Sequence, residues 1–361
     1  MFSRDKIYEL PLAREYIAAW GVVEAVRELL QNAIDSASDF NCSHINGTLR
    51  ITSADSTLPV KSLLLGSTTK ANDERAVGSF GEGYKLAMLV LTRMDHKVTI
   101  YNGDVVWSPE FRISKSFGAE TLHVIETSRP PYQADSLVFQ IEGISDSQYK
   151  EIRNSCLWLW SEEDVGERIN TKYGDILPNL PGNIYVNGLF VCNLDLMYGY
   201  DVKPEHLNLE RDRQTVNTFD VKFLAKNMWF ETGQFDKIAE LIDTKCPDLQ
   251  YANYSTPELV KAACYKRFMM NNPGHIAVSS QAEFDKCIKS GMTKTVYVND
   301  TYHSVLTSSV EYKSSYVERA IQTPGQELDA WFKDNRNNMR KDALVSFKAL
   351  VNKASHWVNK P

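Results

Sequence analysis

The chain has 361 residues, 43% of them hydrophobic and 24% charged, with a formal net charge of −6. This composition is typical of a globular protein, its length suits two or three domains, and together they exclude intrinsic disorder as the main state. Basic and acidic residues are too evenly balanced for a strongly basic nucleic-acid-binding protein. The six cysteines include no CxxC pair, which argues against both structural zinc and a disulfide scaffold. No apolar run reaches the roughly 18 residues of a membrane span and no signal-peptide core is visible, so we expect a cytoplasmic protein without membrane contact.

Helix-like and strand-like patterns follow one another in the N-terminal part. Apolar residues recur with a helical period over Ala13–Phe40, which predicts one long helix or two helices broken at Gly21. A glycine-rich turn, Gly78–Gly83, leads into a second predicted helix, Tyr84–Thr92. Alternating patterns predict strands at Thr48–Ile51, Lys97–Asn102, Leu122–Thr127 and Leu137–Ile141. Residues 1–145 are therefore predicted to form an α/β sandwich domain.

Two further regions follow in the chain, which makes the whole an α/β (α+β) protein. Asn187-Gly188 lies between two apolar runs and predicts a hairpin over Asn183–Cys192, within an α/β coupling domain at residues 146–247. Residues 248–361 are predicted to be an α-rich region of unknown function. Its helices are expected at Pro257–Met270, Gln326–Phe332 and Asn338–Val358, with a strand at Thr295–Val298. The last helix is basic, and its apolar stripe could pack on the body of the protein, pair with a partner or lie on nucleic acid.

Three polar segments carry residues that could bind a ligand or take part in catalysis. Glu28, Asn32 and Asp35 fall within about 60° of one another on a helix, opposite the apolar stripe. The segment Gly78–Gly83 reads GxxGxG, and such a loop lets backbone N–H groups and a helix N-terminus point at phosphate oxygens. Leu65–Lys70 is a polar loop that ends in lysine. Taken singly, these segments are also compatible with a solvated helix face and ordinary surface loops.

Together the three segments resemble the GHKL ATPases, the superfamily of type II topoisomerase ATPase subunits, the ninety-kilodalton heat-shock chaperone, MutL and the MORC proteins. ELLQNAID matches the family's E-x-x-x-N-x-x-D motif, GSFGEG matches its glycine lid motif, and GSTTK is similar to a short Ser/Thr-Lys element before the lid. The resemblance implies a Bergerat-type α/β sandwich with a mixed sheet. It also implies that ATP and Mg²⁺ bind there.

Individual roles follow from this resemblance. Asn32 would supply an amide oxygen to Mg²⁺, and Glu28 would orient and deprotonate the attacking water. The resemblance also implies a larger set of nucleotide-binding residues: Asn32, Asp35, Asp55, Thr69, Lys70, Gly78, Phe80, Gly81, Glu82, Gly83, Lys85 and Ser136.

The element that reads adenine departs from the family pattern. The family has D-x-G-x-G where this chain has Asp55 followed by Thr57 and Pro59 at the two glycine positions. Asp55 can still accept the amino proton of adenine. Ser136 stands where relatives carry a strand threonine behind the base, although a serine that opens a strand is also a common structural residue.

A second-domain segment, Glu205–Gln214, is similar to the L-N-[LIV]-S-R-E segment of the chaperone's middle domain. Arg211 then corresponds to the arginine that reaches the γ-phosphate, with Glu210 in the serine position and Arg213 as the alternative arginine. A charged surface turn is the simpler explanation of the same residues.

The predicted function is therefore Mg²⁺-dependent ATP binding and hydrolysis. Nucleotide binding would close the lid, rearrange the domains and form a homodimer that acts on a protein or DNA client. The alternative is a non-catalytic regulatory module, nucleotide-gated or nucleotide-free, such as a viral or accessory protein, that engages or inhibits a cellular machine. The altered Asp55–Pro59 segment favours this alternative.

Overall fold

A computed structural model describes the protein at residues 5–36, 39–64, 82–128, 136–207, 216–292, 294–313, 331–333 and 335–358. The chain divides into two compact units, Met1–Val221 and Lys222–Pro361. Both combine helices with β-strands, which confirms the predicted α+β class. Within the described ranges, no helix combines the length and apolar composition needed to cross a membrane.

A seven-stranded sheet organises the first part of unit one. Its strands are β1 (Lys6–Ala13), β2 (Phe40–Ile45), β3 (Thr48–Ala54), β4 (Lys97–Asn102), β5 (Val105–Ile113), β6 (Glu120–Ser128) and β7 (Ser136–Glu142). They lie in the order β1-β6-β5-β4-β7-β3-β2, and every pairing is antiparallel. The prediction of a mixed sheet for this domain is therefore wrong. Short turns join β2 to β3, β4 to β5 and β5 to β6, and such connections favour antiparallel neighbours.

Three helices accompany this sheet: α1 (Val22–Ser36), α2 (Gly83–Arg93) and α3 (Asp146–Asn154). Helices α1 and α2 pack against each other and bury their apolar faces on the sheet in one hydrophobic core. The predicted helix over Ala13–Phe40 is too long at both ends, because the described helix begins at Val22, directly after Gly21, and ends at Ser36. Strand β1 precedes this helix in the chain. Its Leu10 and Leu12 side chains lie on one face and are buried in the core, while Ile7 on the other face is exposed. The second predicted helix is confirmed as α2.

A second, five-stranded sheet completes unit one. Its strands are β8 (Ile169–Thr171), β9 (Gly174–Leu177), β10 (Asn183–Val186), β11 (Leu189–Asn193) and β12 (Gly199–Val202), and a short helix, α4 (Glu162–Val165), precedes them. The predicted hairpin is confirmed as β10–β11. Asn187 and Gly188 form its two-residue turn with φ of 50° and 76°, the left-handed values that an Asn-Gly turn accepts.

Unit two is mainly helical. Its helices are α5 (Thr218–Glu231), which begins just before the unit boundary, α6 (Phe235–Asp243), α7 (Glu258–Asn271), α8 (Gln281–Lys289), α9 (Asp300–Ser308) and α10 (Lys341–Val358). Two short parallel strands, β13 (Ile276–Val278) and β14 (Thr295–Tyr297), flank α8. The helices predicted at Pro257–Met270 and Asn338–Val358 and the strand predicted at Thr295–Val298 are confirmed to within three residues at each end. Most of the predicted Gln326–Phe332 helix lies outside the described residues.

Candidate functional site

Helix α1 carries a polar face that is not solvated. Its apolar residues Val26 and Leu30 are completely buried against the core, as the periodicity predicts. On the other side, Glu28 is only 4% exposed, and Asn32 and Asp35 are half-buried. A carboxylate on a freely solvated helix face would be far more exposed. The polar face of α1 therefore lies against another part of the molecule.

The side chains of Glu28 and Asn32 lie against Gly83, the first residue of α2. A Cβ placed on Gly83 would lie 2.6 Å from Oε2 of Glu28 and 2.9 Å from Nδ2 of Asn32. No side chain larger than hydrogen fits there without displacing both polar groups. The fold thus brings the last glycine of the GxxGxG motif into contact with Glu28 and Asn32, the first and fifth positions of the α1 motif.

The amide of Asn32 has a defined orientation. Its Nδ2 donates to the carbonyl oxygen of Glu28 at 2.7 Å, one helical turn earlier. The amide oxygen is the opposite end of this group, and it is the kind of hard ligand that Mg²⁺ prefers. In the described part of the chain, no group of three or more His, Cys, Asp or Glu side chains could hold a metal on its own.

Asp55 and Ser136 come together at one end of the sheet. Asp55 directly follows β3 and has a φ of 50°, a turn conformation that aspartate tolerates better than most residues. Ser136 opens β7 and is the register partner of Ala54, the residue before Asp55. Two residues that are 81 positions apart in the sequence are therefore neighbours across a strand pair.

Lys85 occupies a different place from the phosphate contact that the resemblance implies. Its side chain is completely buried, and its amine donates to the carbonyl oxygens of Ser62 and Leu64 at 2.7 and 2.8 Å. Burial lowers the pKa of this amine. Lys85 thus binds the segment after Asp55 to helix α2.

Sequence reasoning overlooked Asn102, which ends β4 and contacts the same segment. No motif marks this residue. The available signal was an asparagine at the end of an alternating strand, on the face that also carries Val98 and Ile100. Glu82 directly precedes Gly83 as the N-cap residue of α2. The remaining predicted site residues lie outside the described residues: Thr69, Lys70, Gly78, Phe80, Gly81 and Arg211.

Comparison with known proteins adds no functional assignment. No family model matches the chain. The chain is 26% identical over 224 residues to an uncharacterized protein of Mycoplasma pneumoniae, and the match covers 56% of this chain and 89% of that protein.

Proposed function

We propose that the chain binds ATP with Mg²⁺ and hydrolyses it, in the manner of a GHKL ATPase with a Bergerat-type nucleotide site. The observation that supports this most is the contact of Gly83 with Glu28 and Asn32. Gly83, which is more than fifty positions from Glu28 and Asn32 in the sequence, meets both of them at the N-terminus of α2. A helix N-terminus that begins with glycine favours the close approach of an anionic group such as a phosphate.

Four of the described site residues then have a role in binding or catalysis. Asn32 would hold the cation by its amide oxygen, and the bound cation would neutralise charge on the triphosphate. Glu28 would take a proton from the water that attacks the γ-phosphorus. Because Glu28 is buried, its carboxylate would act where bulk water competes little for the proton. Asp55 would accept a hydrogen bond from the purine amino group, with Ser136 beside it.

The remaining parts of the proposal rest on sequence similarity. Arg211 would contact the γ-phosphate, and the glycine motif would close over the nucleotide. Nucleotide-dependent dimerisation and action on a protein or DNA client complete it.

Titration calorimetry with ATP and Mg²⁺, followed by an assay of phosphate release, tests the proposal directly. We expect saturable binding that requires Mg²⁺ and slow release of phosphate. Binding without release by the parental protein would instead favour the nucleotide-gated regulatory module, and no binding would contradict the proposal and favour a nucleotide-free module.

A further inference from the structure

The segment from Asp55 to Leu64 is fixed from one side by Asn102. The backbone N–H of Leu58 donates to Oδ1 of Asn102 at 2.7 Å, and Nδ2 of Asn102 donates to the carbonyl oxygen of Leu58 at 2.8 Å. The side-chain amide of Asn102 thus pairs with both the N–H and the C=O of Leu58, as the backbone of a neighbouring strand would. Asn102 is only 6% exposed and Leu58 is half-buried, so loss of the amide would leave the N–H and C=O of Leu58 without these bonds in a partly buried place.

Lys85 fixes the same segment from the other side. Its bonds to the carbonyl oxygens of Ser62 and Leu64 hold both sides of Leu63, which is itself buried in the core. Lys85 lies two residues after Gly83 on α2. The segment is therefore attached to the same helix end that contacts Glu28 and Asn32.

The sequence of the segment adds stiffness. Pro59 has a φ of −67°, the value that its ring imposes, and it caps the 3-10 turn Val60–Leu63. Thr57 and Pro59 stand at the two glycine positions of the D-x-G-x-G pattern, and each restricts the backbone more than glycine does. Bonds at Leu58, Ser62 and Leu64 and the restricted backbone together favour one conformation of this segment without a ligand.

We propose that Asn102 and Lys85 are positioning residues that preform the base-binding side of the nucleotide site. The proposal rests on the ATP binding proposed above, but neither side chain is assigned a contact with nucleotide. Both act through the segment that starts at Asp55. They should therefore govern nucleotide affinity and the preference for adenine over guanine, and they should leave the chemical step at Glu28 nearly unchanged.

The test uses Asn102→Leu, Asn102→Asp and Lys85→Met in the full chain. Hydrogen exchange without nucleotide should speed up at least about tenfold at Leu58 in Asn102→Leu, which removes the acceptor for the Leu58 N–H, and near Leu64 in the Lys85 variant. The KM for ATP should rise about tenfold while kcat stays within about twofold, and the ATP over GTP preference should fall. Asn102→Asp keeps the acceptor for the Leu58 N–H and loses the donor, so we expect an intermediate effect.

Two residues of unit two, the half-buried Asn299 and the buried Lys226, serve as matched controls. Asn299 donates from Nδ2 to the carbonyl oxygen of Ile242 at 2.9 Å, and Lys226 donates to that of Tyr254 at 3.2 Å. Asn299→Leu and Lys226→Met remove the same kinds of bond away from the segment. They should lower stability without changing the KM for ATP.

The outcomes are distinguishable. If the parental protein binds ATP but the three variants keep its KM, the inference is wrong and the proposed function stands. A KM that rises equally in the controls also overturns it, because the effect would then be general destabilisation. If the parental protein binds no nucleotide, the proposed function fails together with the inference, and exchange at Leu58 then reports only a structural bond.

Discussion

Gly83 lies so close to Glu28 that a methyl group on its α-carbon would come within 2.6 Å of the Glu28 carboxylate. Contacts between carbon and oxygen atoms are normally well above 3 Å, so hydrogen is the only side chain that fits as the groups stand. The atoms in the way are the ends of flexible side chains, not backbone. Substitution at Gly83 should therefore disturb the proposed site more than it disturbs the fold.

Gly83→Ala tests this distinction. The free energy of unfolding should stay within about 1 kcal/mol of the parental value, because alanine favours a helix and the displaced side chains can rotate. ATP turnover should fall about a hundredfold, the scale expected when catalytic groups shift by about 1 Å. Urea unfolding and phosphate release measure the two quantities on the same preparation.

Gly118→Ala is the matched control, with the opposite pattern. Gly118 has a φ of 64° and no atom within 4 Å of an added Cβ. Alanine there should lower stability by about 1–2 kcal/mol through backbone strain and leave turnover unchanged. Equal loss of turnover in both variants would contradict the role assigned to the Gly83 contact.

Glu28→Gln should retain ATP binding and lose turnover by a factor of about 10²–10⁴, because glutamine cannot take the proton from water. Calorimetry and a phosphate-release assay separate the two effects. Glu24→Gln changes a carboxylate one turn earlier on α1, where Oε2 accepts the N–H of Gly21 at 2.8 Å. This control should hydrolyse ATP at the parental rate. A Glu28→Gln variant that does the same would show that Glu28 is not the base.

Asn32→Ala should remove the Mg²⁺ dependence of binding. In the parental protein we expect a much higher affinity for ATP with Mg²⁺ than with EDTA, since the cation bridges the amide oxygen and the phosphates. In the variant the two affinities should converge. An unchanged ratio would place the cation elsewhere.

Asp201 should make stability depend on pH. Burial and the Asp175 carboxylate opposite it raise its pKa from 3.8 to about 6. The folded state then holds this proton more tightly than the unfolded state, so stability should fall as pH rises from about 4 to about 6. Asp201→Asn removes the charge and keeps an acceptor for the N–H of Gly188.

Unfolding in urea between pH 4 and pH 7.5 measures this effect. The Asp201→Asn variant should gain stability over the parent as pH rises, with a difference in slope of up to about 1.4 kcal/mol per pH unit. Parallel curves for the two proteins would contradict the assignment.

The fold was predictable where a pattern was locally complete. Helix α2, the hairpin at Asn187-Gly188 and helix α7 follow from periodicity and turn chemistry alone. Strands β1 and β5 were missed because each contains a proline, Pro11 or Pro109, which reads as a break. The structure accommodates Pro11 because β1 lies at the edge of the sheet. The antiparallel order could not be predicted, since strand pairing depends on contacts between distant parts of the chain.

The candidate site shows the same division. The spacing of Glu28 and Asn32 and the glycine of α2 were visible as motifs, but their mutual contact was not. The resemblance placed Lys85 among the nucleotide-binding residues. Its actual bonds depend on the tertiary position of Ser62 and Leu64, which no local pattern encodes. Asn102 was invisible for the same reason.

The order of strands in the first sheet also determines when the site can be assembled. β1 pairs with β6, and β3 pairs with β7 from Thr48↔Glu142 to Ala54↔Ser136. These pairings join segments about a hundred residues apart, which slows folding because a long loop must close before the contacts form. During synthesis on the ribosome, α1 and α2 emerge well before the strands that complete their support. A nascent chain that stops before residue 142 would therefore present Glu28 and Asn32 without a formed base-binding side.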